Sequence, residues 1–524
     1  MSGNGEPVRH EPVDHEPVRH EPVHHRVAVV GAGFGGIGTA IRLKQSGYHD
    51  FVVFDRGADV GGTWRDNTYP GCACDVPSHL YSLSFAPNPR WSRSFSGQPE
   101  IWEYLRGCVT RYGIGPHLRL RHEVTGARWD AAAGHWLIGT SQGEYSADVL
   151  VAAGGPLAEP SIPDLPGLST FGGEVFHSAR WNHDLDLAGR RVAVIGTGAS
   201  AIQFVPEIAP TVARLHLFQR TPPWIMPRAD RAIGEAEKRL FRAFPPVQRA
   251  VRAGIYLARE TVMATGFLNP TLMRVAGQRV AHRHLRRSVA DPALRATLSP
   301  DYTMGCKRVL LSNDYYPALT RDNVDVVTAG IAEVRPDGIV TRDGIRHEVD
   351  TIIFGTGFHV TDPPIAAHLR GRDGRTLEQV WAGSMRAHQG ITVAGFPNLF
   401  LLLGPNTGLG HSSVVFMIEC QIRYLLGALR HLDRAGVAAI EPAPEAQAAF
   451  VADVDRRMRG TVWTSGGCKS WYLDATGRNS TLWPGYTWSY WLRTRRFDPA
   501  AYRPVPRHPV AARSGAEQTV EEGR

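Results

Sequence analysis

The sequence predicts an α/β fold with two doubly wound parallel sheets and a helical insertion in the second. The stretch HRVAVVGAGFGGIGTAIRL has the pattern of a buried strand, a glycine turn and a helix. Much later, GRRVAVIGTGASAIQFVPEI repeats that pattern, and the apolar strands DFVVFDR and ARLHLFQR follow the first and second copies. Two such copies indicate two dinucleotide-binding, Rossmann-like units in one chain.

Composition narrows the class of protein. A chain of 524 residues can form several domains, and 43% hydrophobic with 21% charged residues is ordinary for a soluble enzyme. The net charge of +8 comes mainly from scattered arginines, which indicate a solvated basic surface or a mild attraction for anionic cofactors. Basic residues do not alternate with aromatic platforms, so nucleic acid is not an expected partner. With no secretory signal and no long apolar run, we expect a cytoplasmic protein without a membrane partner.

The domain boundaries follow from changes in pattern. The N-terminal repeat of EPVRH-like units contains too few large apolar residues to fold alone. The strands DTIIFGTGF and NLFLLLGP are expected to return to the first sheet. The predicted segments are a disordered tail (1–24), the first part of the first dinucleotide-binding domain (25–160), the second dinucleotide-binding domain (161–350) with its helical insertion (about 227–301), the second part of the first domain (351–498) and a disordered tail (499–524).

The first glycine turn has the features of a flavin dinucleotide site. Gly31, Gly33 and Gly36 have the G-x-G-x-x-G spacing, with Phe34 between them, directly before a helix. Glycine lets the backbone approach a pyrophosphate that binds at the helix N-terminus. Asp55 ends the next strand and is predicted to accept a hydrogen bond from an adenosine ribose hydroxyl.

The second glycine turn differs at the end of its second strand. No acid follows ARLHLF; Arg220 and Thr221 are there instead. An acid in this position holds a free 2′-hydroxyl, whereas arginine favours a 2′-phosphate. The second unit should therefore prefer NADPH over NADH. Two such sites indicate FAD in one unit, NADPH in the other, and hydride transfer between them.

The segment GGTWRDNTYPGCACD, residues 61–75, contains two cysteines and ends in an aspartate. Cys72 and Cys74 are one residue apart and lack the second pair that a structural zinc site uses. A disulfide between them would close a strained ring, so chemically quiet thiols are the expectation. Asp75 is either a turn or helix-cap residue or an anchor for a cation near the flavin.

Two longer motifs carry a resemblance to a family. Residues 171–181, FGGEVFHSARW, fit the pattern FxGxxxHxxxW. Residues 61–75 fit a second signature, [A/G]GxWxxxx[F/Y]P[G/M]xxxD. The chain thereby resembles the type I Baeyer–Villiger monooxygenases from about residue 25 to about 491. It departs from the common family pattern at Asn182, at His359 and at Asp55, where glutamate is more usual, which suggests a subgroup away from the best-known cyclohexanone-oxidising enzymes.

The resemblance implies an activity. Members of the family use FAD and NADPH to insert one oxygen atom of O2 beside a ketone carbonyl through a C4a-peroxyflavin, giving an ester or lactone. Arg308 is implied as the catalytic arginine, with Asp75 as its partner, because a permanently charged guanidinium stabilises developing oxyanions. Lys307 is implied as a further ligand of the NADPH 2′-phosphate, and Trp471 as a loop residue that covers the nicotinamide and the substrate.

The predicted site residues form three groups. The catalytic residues are Arg308 and Asp75. The residues of the fingerprint, expected to couple the two domains rather than to react, are Phe171, Gly173, His177 and Trp181. The residues predicted to bind the two cofactors are Gly31, Gly33, Phe34, Gly36, Asp55, Arg56, Thr63, Trp64, Asp75, Tyr81, Val124, Thr197, Gly198, Ser200, Gln203, Arg220, Thr221, Lys307, Arg308 and Trp471.

Two other functions remain open at this stage. A flavin monooxygenase that oxidises nitrogen or sulfur shares the two glycine turns, but its fingerprint ends in an aromatic residue other than tryptophan and it lacks the 61–75 signature. A non-catalytic FAD- and NADPH-binding protein would have no need to keep Asp75 and Arg308 together. No metal site is predicted, and the sequence names neither the ketone nor the oligomeric state.

Overall fold

The structure, a computed structural model, describes residues 22–468 and 470–505. The predicted N-terminal tail lies outside this part up to residue 21, as does the C-terminal segment from residue 506. The strands are β1 (Val23–Val30), β2 (Phe51–Asp55), β3 (Leu118–Leu120), β4 (Val124–Asp130), β5 (His135–Thr140), β6 (Gly143–Ala152), β7 (Glu174–His177), β8 (Arg191–Ile195), β9 (Arg214–Phe218), β10 (Ile225–Met226), β11 (Leu310–Leu311), β12 (Val324–Val327), β13 (Ile331–Arg335), β14 (Gly338–Thr341), β15 (Arg346–Glu348), β16 (Thr351–Phe354), β17 (Leu369–Arg370), β18 (Leu399–Leu401), β19 (Ala439–Pro442) and β20 (Tyr502–Val505).

The helices surround and connect these strands. They are α1 (Phe34–Gln45), α2 (Thr63–Asp66), α3 (Gln98–Tyr112), α4 (Ala201–Ile208), α5 (Glu235–Ala243), α6 (Pro245–Ala258), α7 (Thr265–Leu268), α8 (Pro270–Leu272), α9 (Gln278–Ser288), α10 (Pro292–Thr297), α11 (Tyr315–Leu319), α12 (Leu377–Trp381), α13 (Val414–Ala435), α14 (Pro444–Met458), α15 (Val462–Ser465) and α16 (Thr487–Thr494). Two π-helical segments, Arg259–Ala264 and Met273–Gly277, interrupt the insertion that contains α5 to α10. None of the helices in the described part is long and apolar enough to cross a membrane.

The first sheet has the order β17-β4-β5-β6-β1-β2-β3, with β18 paired to β6. Strands β1, β2, β3, β6 and β18 pair in parallel. The alternation within VAVV buries Val27 and Val29 against one face, where α1 and α13 pack, and Ala28 against the other. This sheet is the core of the first dinucleotide-binding unit.

The second sheet is entirely parallel, in the order β12-β9-β8-β16-β7. Both faces of its central strands are buried, in agreement with the near-continuous apolar runs that predict them. Helices α4 and α11 cover one face. The prediction of two doubly wound units is confirmed.

One predicted strand belongs to the other sheet. DTIIFGTGF was expected to return to the first sheet, but its strand β16 lies between β8 and β7 in the second. An apolar run indicates that a strand is buried on both faces, but it does not indicate which strands pair with it. That pairing depends on contacts with residues distant in sequence. NLFLLLGP provides β18 and does join the first sheet, beside β6.

Order extends further at both ends than predicted. Strand β1 begins at Val23, inside the last repeat unit. The C-terminal tail was expected from residue 499, but residues 502–505 form β20, which pairs with β19. Tyr502 is buried there and its hydroxyl lies 2.8 Å from that of Thr392, which accounts for the order of this segment.

Two antiparallel connections join the units. Ser161 donates its backbone N–H to the carbonyl of Gly357 at 2.9 Å, and His359 donates to Glu159 at 3.0 Å. Ser161 also accepts a hydrogen bond at its carbonyl from the hydroxyl of Thr356. The chain therefore leaves the first unit and returns to it through two short antiparallel segments that are hydrogen-bonded to each other.

Candidate active site

The first glycine turn has the shape of a pyrophosphate cradle. Gly31 adopts φ +105°, and a Cβ on it would lie 2.6 Å from the carbonyl oxygen of Ala153. A Cβ on Gly36 would lie 1.7 Å from the Gly31 carbonyl, so α1 can begin here only with glycine. Helix α1 has no side-chain cap at Gly33, which leaves its first-turn amides for a ligand. The turn therefore fits the diphosphate of a dinucleotide.

Asp55 lies at the end of β2, beside this turn, and is buried. Its carboxylate accepts hydrogen bonds from the backbone amides of Ala32 and Gly57, both at 2.8 Å. Arg65 of α2 donates to the same carboxylate, a contact that sequence reasoning missed. Asp55 thus holds the glycine turn in place through these hydrogen bonds. Its contact with the adenosine ribose stays a prediction.

Several other predicted FAD residues surround the turn. Trp64 donates its indole N–H to the hydroxyl of Tyr81 at 3.1 Å, and the Phe34 ring meets the Tyr81 ring edge-on. Thr63 begins α2. Val124 is buried at the start of β4, whereas Arg56 is exposed and bonds to Glu159.

The second glycine turn repeats the cradle. Gly196 has φ +112°, and a Cβ on it would lie 2.4 Å from the carbonyl of Gly355. Thr197 donates its hydroxyl to the carbonyl of Thr221 at 3.2 Å, which joins the turn to the end of the second strand. Gly198 and Ser200 complete the turn before α4, whose N-terminus also has no side-chain cap.

Two cations meet beside this turn. Arg220 is exposed after β9, and Lys307, half-buried, approaches it from a distant segment. Burial and the nearby charge of Arg220 lower the pKa of Lys307, with Asp301 opposing them. Such a pair of like charges fits the 2′-phosphate of NADPH, which would relieve the repulsion.

Gln203 connects the two units. Its side-chain amide donates to the Ala73 carbonyl at 3.0 Å and accepts from the Ala73 amide at 3.2 Å and from the Tyr69 hydroxyl. The predicted role was in cofactor binding, but these bonds tie α4 to the segment that ends in Asp75.

Asp75 and Arg308, predicted as partners, form an ion pair across 233 positions of sequence. Arg308 Nε donates to one carboxylate oxygen at 2.9 Å, and an outer nitrogen donates to both oxygens at 2.7 Å. Burial would raise the pKa of Asp75, but Arg308 and then Arg259 lower it overall. The same contact raises the pKa of Arg308 above its already high ordinary value, so both groups stay charged.

A small cavity adjoins this pair and is lined by residues from several segments. About a quarter of each of the two charged side chains faces open space. The cavity is lined by Asp75, Val76, Arg259, Phe267, Arg308, Val309, Leu311, Gly410, His411 and Ser412. Asp75 comes from the first unit, Arg308 from the second and Arg259 from the helical insertion, so the cavity exists only in the assembled protein.

Two further residues at the pair were missed by sequence reasoning. Arg259, on a π-helical segment, donates to the backbone carbonyl of Asp75 at 3.1 Å and adds a second positive charge. Tyr472 is buried near the pair, and burial raises the pKa of its hydroxyl to about 12 in spite of Arg308. Neither carries a local sequence signal: one is an arginine among many in a helix, the other an aromatic residue in a loop.

The cysteines of the 61–75 segment are thiols without a metal-binding cluster around them. Burial raises the pKa of Cys72 to about 12 and raises that of Cys74 further. Across the described residues, no group of three or more metal-ligating side chains is brought together. Arg228 donates to the carbonyl of Cys74 at 3.2 Å, so the end of this segment, at Cys74 and Asp75, contacts the guanidinium groups of Arg228, Arg259 and Arg308.

The fingerprint residues lie in and around β7, at the edge of the second sheet, and His177 among them contacts the connection between the units. His177 ends β7, accepts a hydrogen bond from the Ala179 amide at Nδ1, and its ring meets that of Phe358 in the returning connection. Burial lowers the pKa of His177 to about 4, so the ring is neutral near pH 7. Trp181 packs on Phe204, and Phe171 and Gly173 lie at the edge of the same sheet.

Trp471 projects outward from the loop 466–472, with 45% of its surface exposed. Its ring contacts that of Tyr472 at 4.3 Å. Cys468 of this loop forms a disulfide with Cys306, a pairing that no local pattern in the sequence predicts. The loop is therefore held against the Lys307–Arg308 segment.

Comparison with known proteins places this geometry in a family. The flavin-binding monooxygenase-like family model matches residues 24–237. A Baeyer–Villiger monooxygenase of Streptomyces coelicolor is 54% identical over 502 residues, covering 95% of this chain and 96% of that protein. Cyclohexanone monooxygenase from Rhodococcus sp. Phi1 bound to NADP+ matches with TM-score 0.80 and 30% identity over 92% of this chain and 99% of its own. The OTEMO complex with FAD and NADP matches with TM-score 0.82 and 27% identity over 92% and 100%. On this evidence the chain belongs to the Baeyer–Villiger monooxygenase family.

Proposed function

We propose that this chain is an FAD- and NADPH-dependent monooxygenase that inserts one oxygen atom of O2 beside a ketone carbonyl, with Arg308 as its catalytic arginine. The observation that carries the assignment is the ion pair between Arg308 and Asp75, which joins the two dinucleotide-binding units at a cavity. Bound FAD, reduced by NADPH, supplies the redox and oxygen chemistry at this place.

Arg308 provides charge stabilisation. Its raised pKa keeps the guanidinium protonated at any working pH, so it stabilises a developing oxyanion without giving up a proton. Part of the guanidinium faces the cavity, which Phe267 and Val309 make partly apolar, and exclusion of water strengthens the interaction.

Asp75 holds Arg308 in place. Three hydrogen bonds from Nε and an outer nitrogen fix the plane of the guanidinium. The remaining nitrogen donates a longer hydrogen bond, of 3.4 Å, to the Leu409 carbonyl, and its second N–H is available to a ligand. Arg259 supports Asp75 from the other side through its backbone carbonyl. Two guanidinium groups against one carboxylate leave the cavity with a positive charge, which suits an anionic reacting group.

Arg220 and Lys307 select the reductant. Their charges form a site for the 2′-phosphate of NADPH, with Thr221 and the glycine turn beside them. His177, neutral and turned toward the connection between units, is a coupling residue and takes no proton in the reaction.

The decisive test is Arg308→Ala, compared with Arg239→Ala, an exposed arginine of the helical insertion. We expect the Arg308 variant to retain FAD absorbance and to be reduced anaerobically by NADPH, yet to form at least about 100-fold less ester from a panel of linear, cyclic, aryl and polycyclic ketones. Ester formation at the rate of the control would refute the assignment, and oxidation of amines or sulfides alone by the unaltered enzyme would refute the proposed reaction.

A further inference from the structure

We propose that Cys306 and Cys468 form a reversible thiol–disulfide site, open to dithiols and peroxides, whose state sets how firmly the loop, described at residues 466–468 and 470–472, is held against the Lys307–Arg308 segment. The inference deepens the proposed function, since these two residues are the ones assigned to NADPH binding and catalysis. It rests on where the two sulfurs lie and on what else holds the loop.

The disulfide connects two chain segments 162 positions apart, with their Cα atoms 6.1 Å from each other. Cys306 is buried and directly precedes Lys307, with Arg308 next. Cys468 is half-buried, in the loop that also contains Trp471 and Tyr472. One covalent bond therefore joins the charged segment of the active site to the loop beside it.

Non-covalent contacts between described residues also join the loop to this segment. Thr303 donates its amide to the Gly466 carbonyl at 3.0 Å, and Tyr472 is buried near Arg308. Gly466 approaches so closely that a Cβ on it would lie 2.5 Å from the Cβ of Cys306. Among the described residues, the Thr303–Gly466 hydrogen bond and the packing of Tyr472 beside Arg308 remain when the disulfide opens, and loss of the covalent bond should loosen the loop.

The other four cysteines have no such arrangement. Cys72, Cys74, Cys108 and Cys420 are free thiols. Burial raises the pKa of Cys108 to about 11 and those of Cys72 and Cys420 to about 12. Since the thiolate is the reactive form, these four are poor partners for exchange, and the paired cysteines are the redox-responsive ones.

The cellular compartment expected for an NADPH-dependent enzyme favours a disulfide that opens and closes reversibly. An enzyme that depends on NADPH works where cellular thiol reductants are also present, and disulfides in such compartments are mostly transient and redox-sensing. A disulfide that connects a catalytic segment to an adjacent loop is in a position to act in that way.

The chemistry balances in both directions. For opening, one thiolate of a dithiol attacks the sulfur of Cys468, which is the more accessible, and releases Cys306 as a thiolate. The second thiol of the reductant displaces Cys468, leaving two cysteine thiols and a disulfide in the reductant; two electrons and two protons are transferred. For closing, one cysteine thiolate attacks an oxygen of hydrogen peroxide, which gives a sulfenic acid and a hydroxide that takes a proton from solvent. The thiol of the other cysteine then attacks the sulfenic sulfur, which forms the disulfide and releases a second water.

The test uses the FAD-loaded enzyme in two states, one treated with dithiothreitol and one with a slight excess of hydrogen peroxide. Alkylation after denaturation should modify four cysteines in the oxidised form, the four free thiols, and all six in the reduced form. We expect reduction to increase deuterium uptake in residues 461–472 and to weaken NADP+ binding about fivefold.

Variants separate the disulfide from side effects of the reagents. Cys468→Ser and Cys306→Ser should show the reduced-state exchange and affinity in both treatments, whereas Cys108→Ala, a buried thiol elsewhere, should respond as the unaltered enzyme does. Six modified cysteines after peroxide, or equal exchange and NADP+ affinity in the two states, would overturn the proposal. None of these readouts requires turnover, so a failure to form ester would count against the proposed reaction and not against the disulfide.

Discussion

The two dinucleotide-binding units share a strand, glycine turn, helix and second strand, and they differ in the charge of the residue at the end of that second strand. In the first unit, β2 ends in Asp55, which is buried and accepts hydrogen bonds from the amides of its own glycine turn. In the second, β9 is followed by Arg220, which is exposed and is joined by Lys307 from a distant segment. We therefore propose that the glycine turn holds phosphate in both units, and that the charge after the second strand selects between adenosine with a free 2′-hydroxyl and adenosine with a 2′-phosphate.

The units also contribute opposite charges to the active site. Asp75 comes from the first unit and Arg308 from the segment that follows the helical insertion of the second. Neither unit alone contains both members of the pair. We therefore expect a substitution within one unit to affect the binding of one cofactor. A substitution of Asp75 or Arg308 should instead affect ester formation, which needs both units.

The largest effect is expected from Asp75→Asn, which keeps the shape of the side chain and removes its charge. Arg308 then loses its charged partner and its fixed orientation, so ester formation should fall by about 100-fold, corresponding to about 3 kcal/mol. Anaerobic reduction of FAD by NADPH should change little, because the pair lies outside both phosphate cradles. Equal losses in flavin reduction and in ester formation would show that the ion pair is needed for cofactor binding. That result would contradict the division of roles between the two phosphate sites and the pair.

A smaller effect, confined to the second unit, is expected from Arg220→Ala and Lys307→Ala. Each variant should lower kcat/KM for NADPH about 30-fold and leave kcat/KM for NADH unchanged, because only the 2′-phosphate is lost as a contact. Stopped-flow reduction with each nucleotide measures this, with Arg239→Ala as the control. A parallel loss for NADH would mean that these cations hold another part of the nucleotide.

The smallest effect is a pH dependence of the free energy of unfolding, and it comes from His177, which contacts the connection between the units. The pKa of His177 is about 4 in the folded protein and about 6.5 in an unfolded chain, so the unfolded state binds more protons between those values. The stability that comes from neutral His177 is therefore full above pH 6.5 and is lost as the pH falls toward 4. The loss from pH 7 to pH 5 is about 2 kcal/mol.

His177→Asn should remove this part of the pH dependence. Urea unfolding of both proteins at pH 7 and pH 5 measures it, and His49→Asn, an exposed histidine, serves as the control. Identical pH dependence in the His177 variant and the unaltered protein would show that the coupling residue titrates normally.

Sequence reasoning succeeded where a signal is local or carried by a long motif. The two glycine turns identify both units because only glycine fits the close approaches at Gly31 and Gly196. The partnership of Asp75 with Arg308 came from the family resemblance and not from the spacing, and the structure brings the two together.

The misses share a physical cause, since each depends on contacts between distant parts of the chain. The apolar run of β16 indicates burial but not which sheet it joins. The pairing of Cys306 with Cys468 and the approach of Arg259 to Asp75 have no local pattern. Sequence reasoning also missed the hydrogen bonds of Gln203 to Tyr69 and Ala73 of the first unit, while its contact with a cofactor stays a prediction.

The placement of β18 beside β6 has a consequence for how the chain is made. Asn398, next to β18, donates its side-chain amide to the carbonyl of Asp148, 250 positions earlier. The ribosome must therefore release the whole second unit before the first sheet can receive its last strand and the cover of α13. The unit that is synthesised first is therefore completed last. The edge of β6 that pairs with β18 stays unpaired during most of translation, and chaperones can bind it in that period.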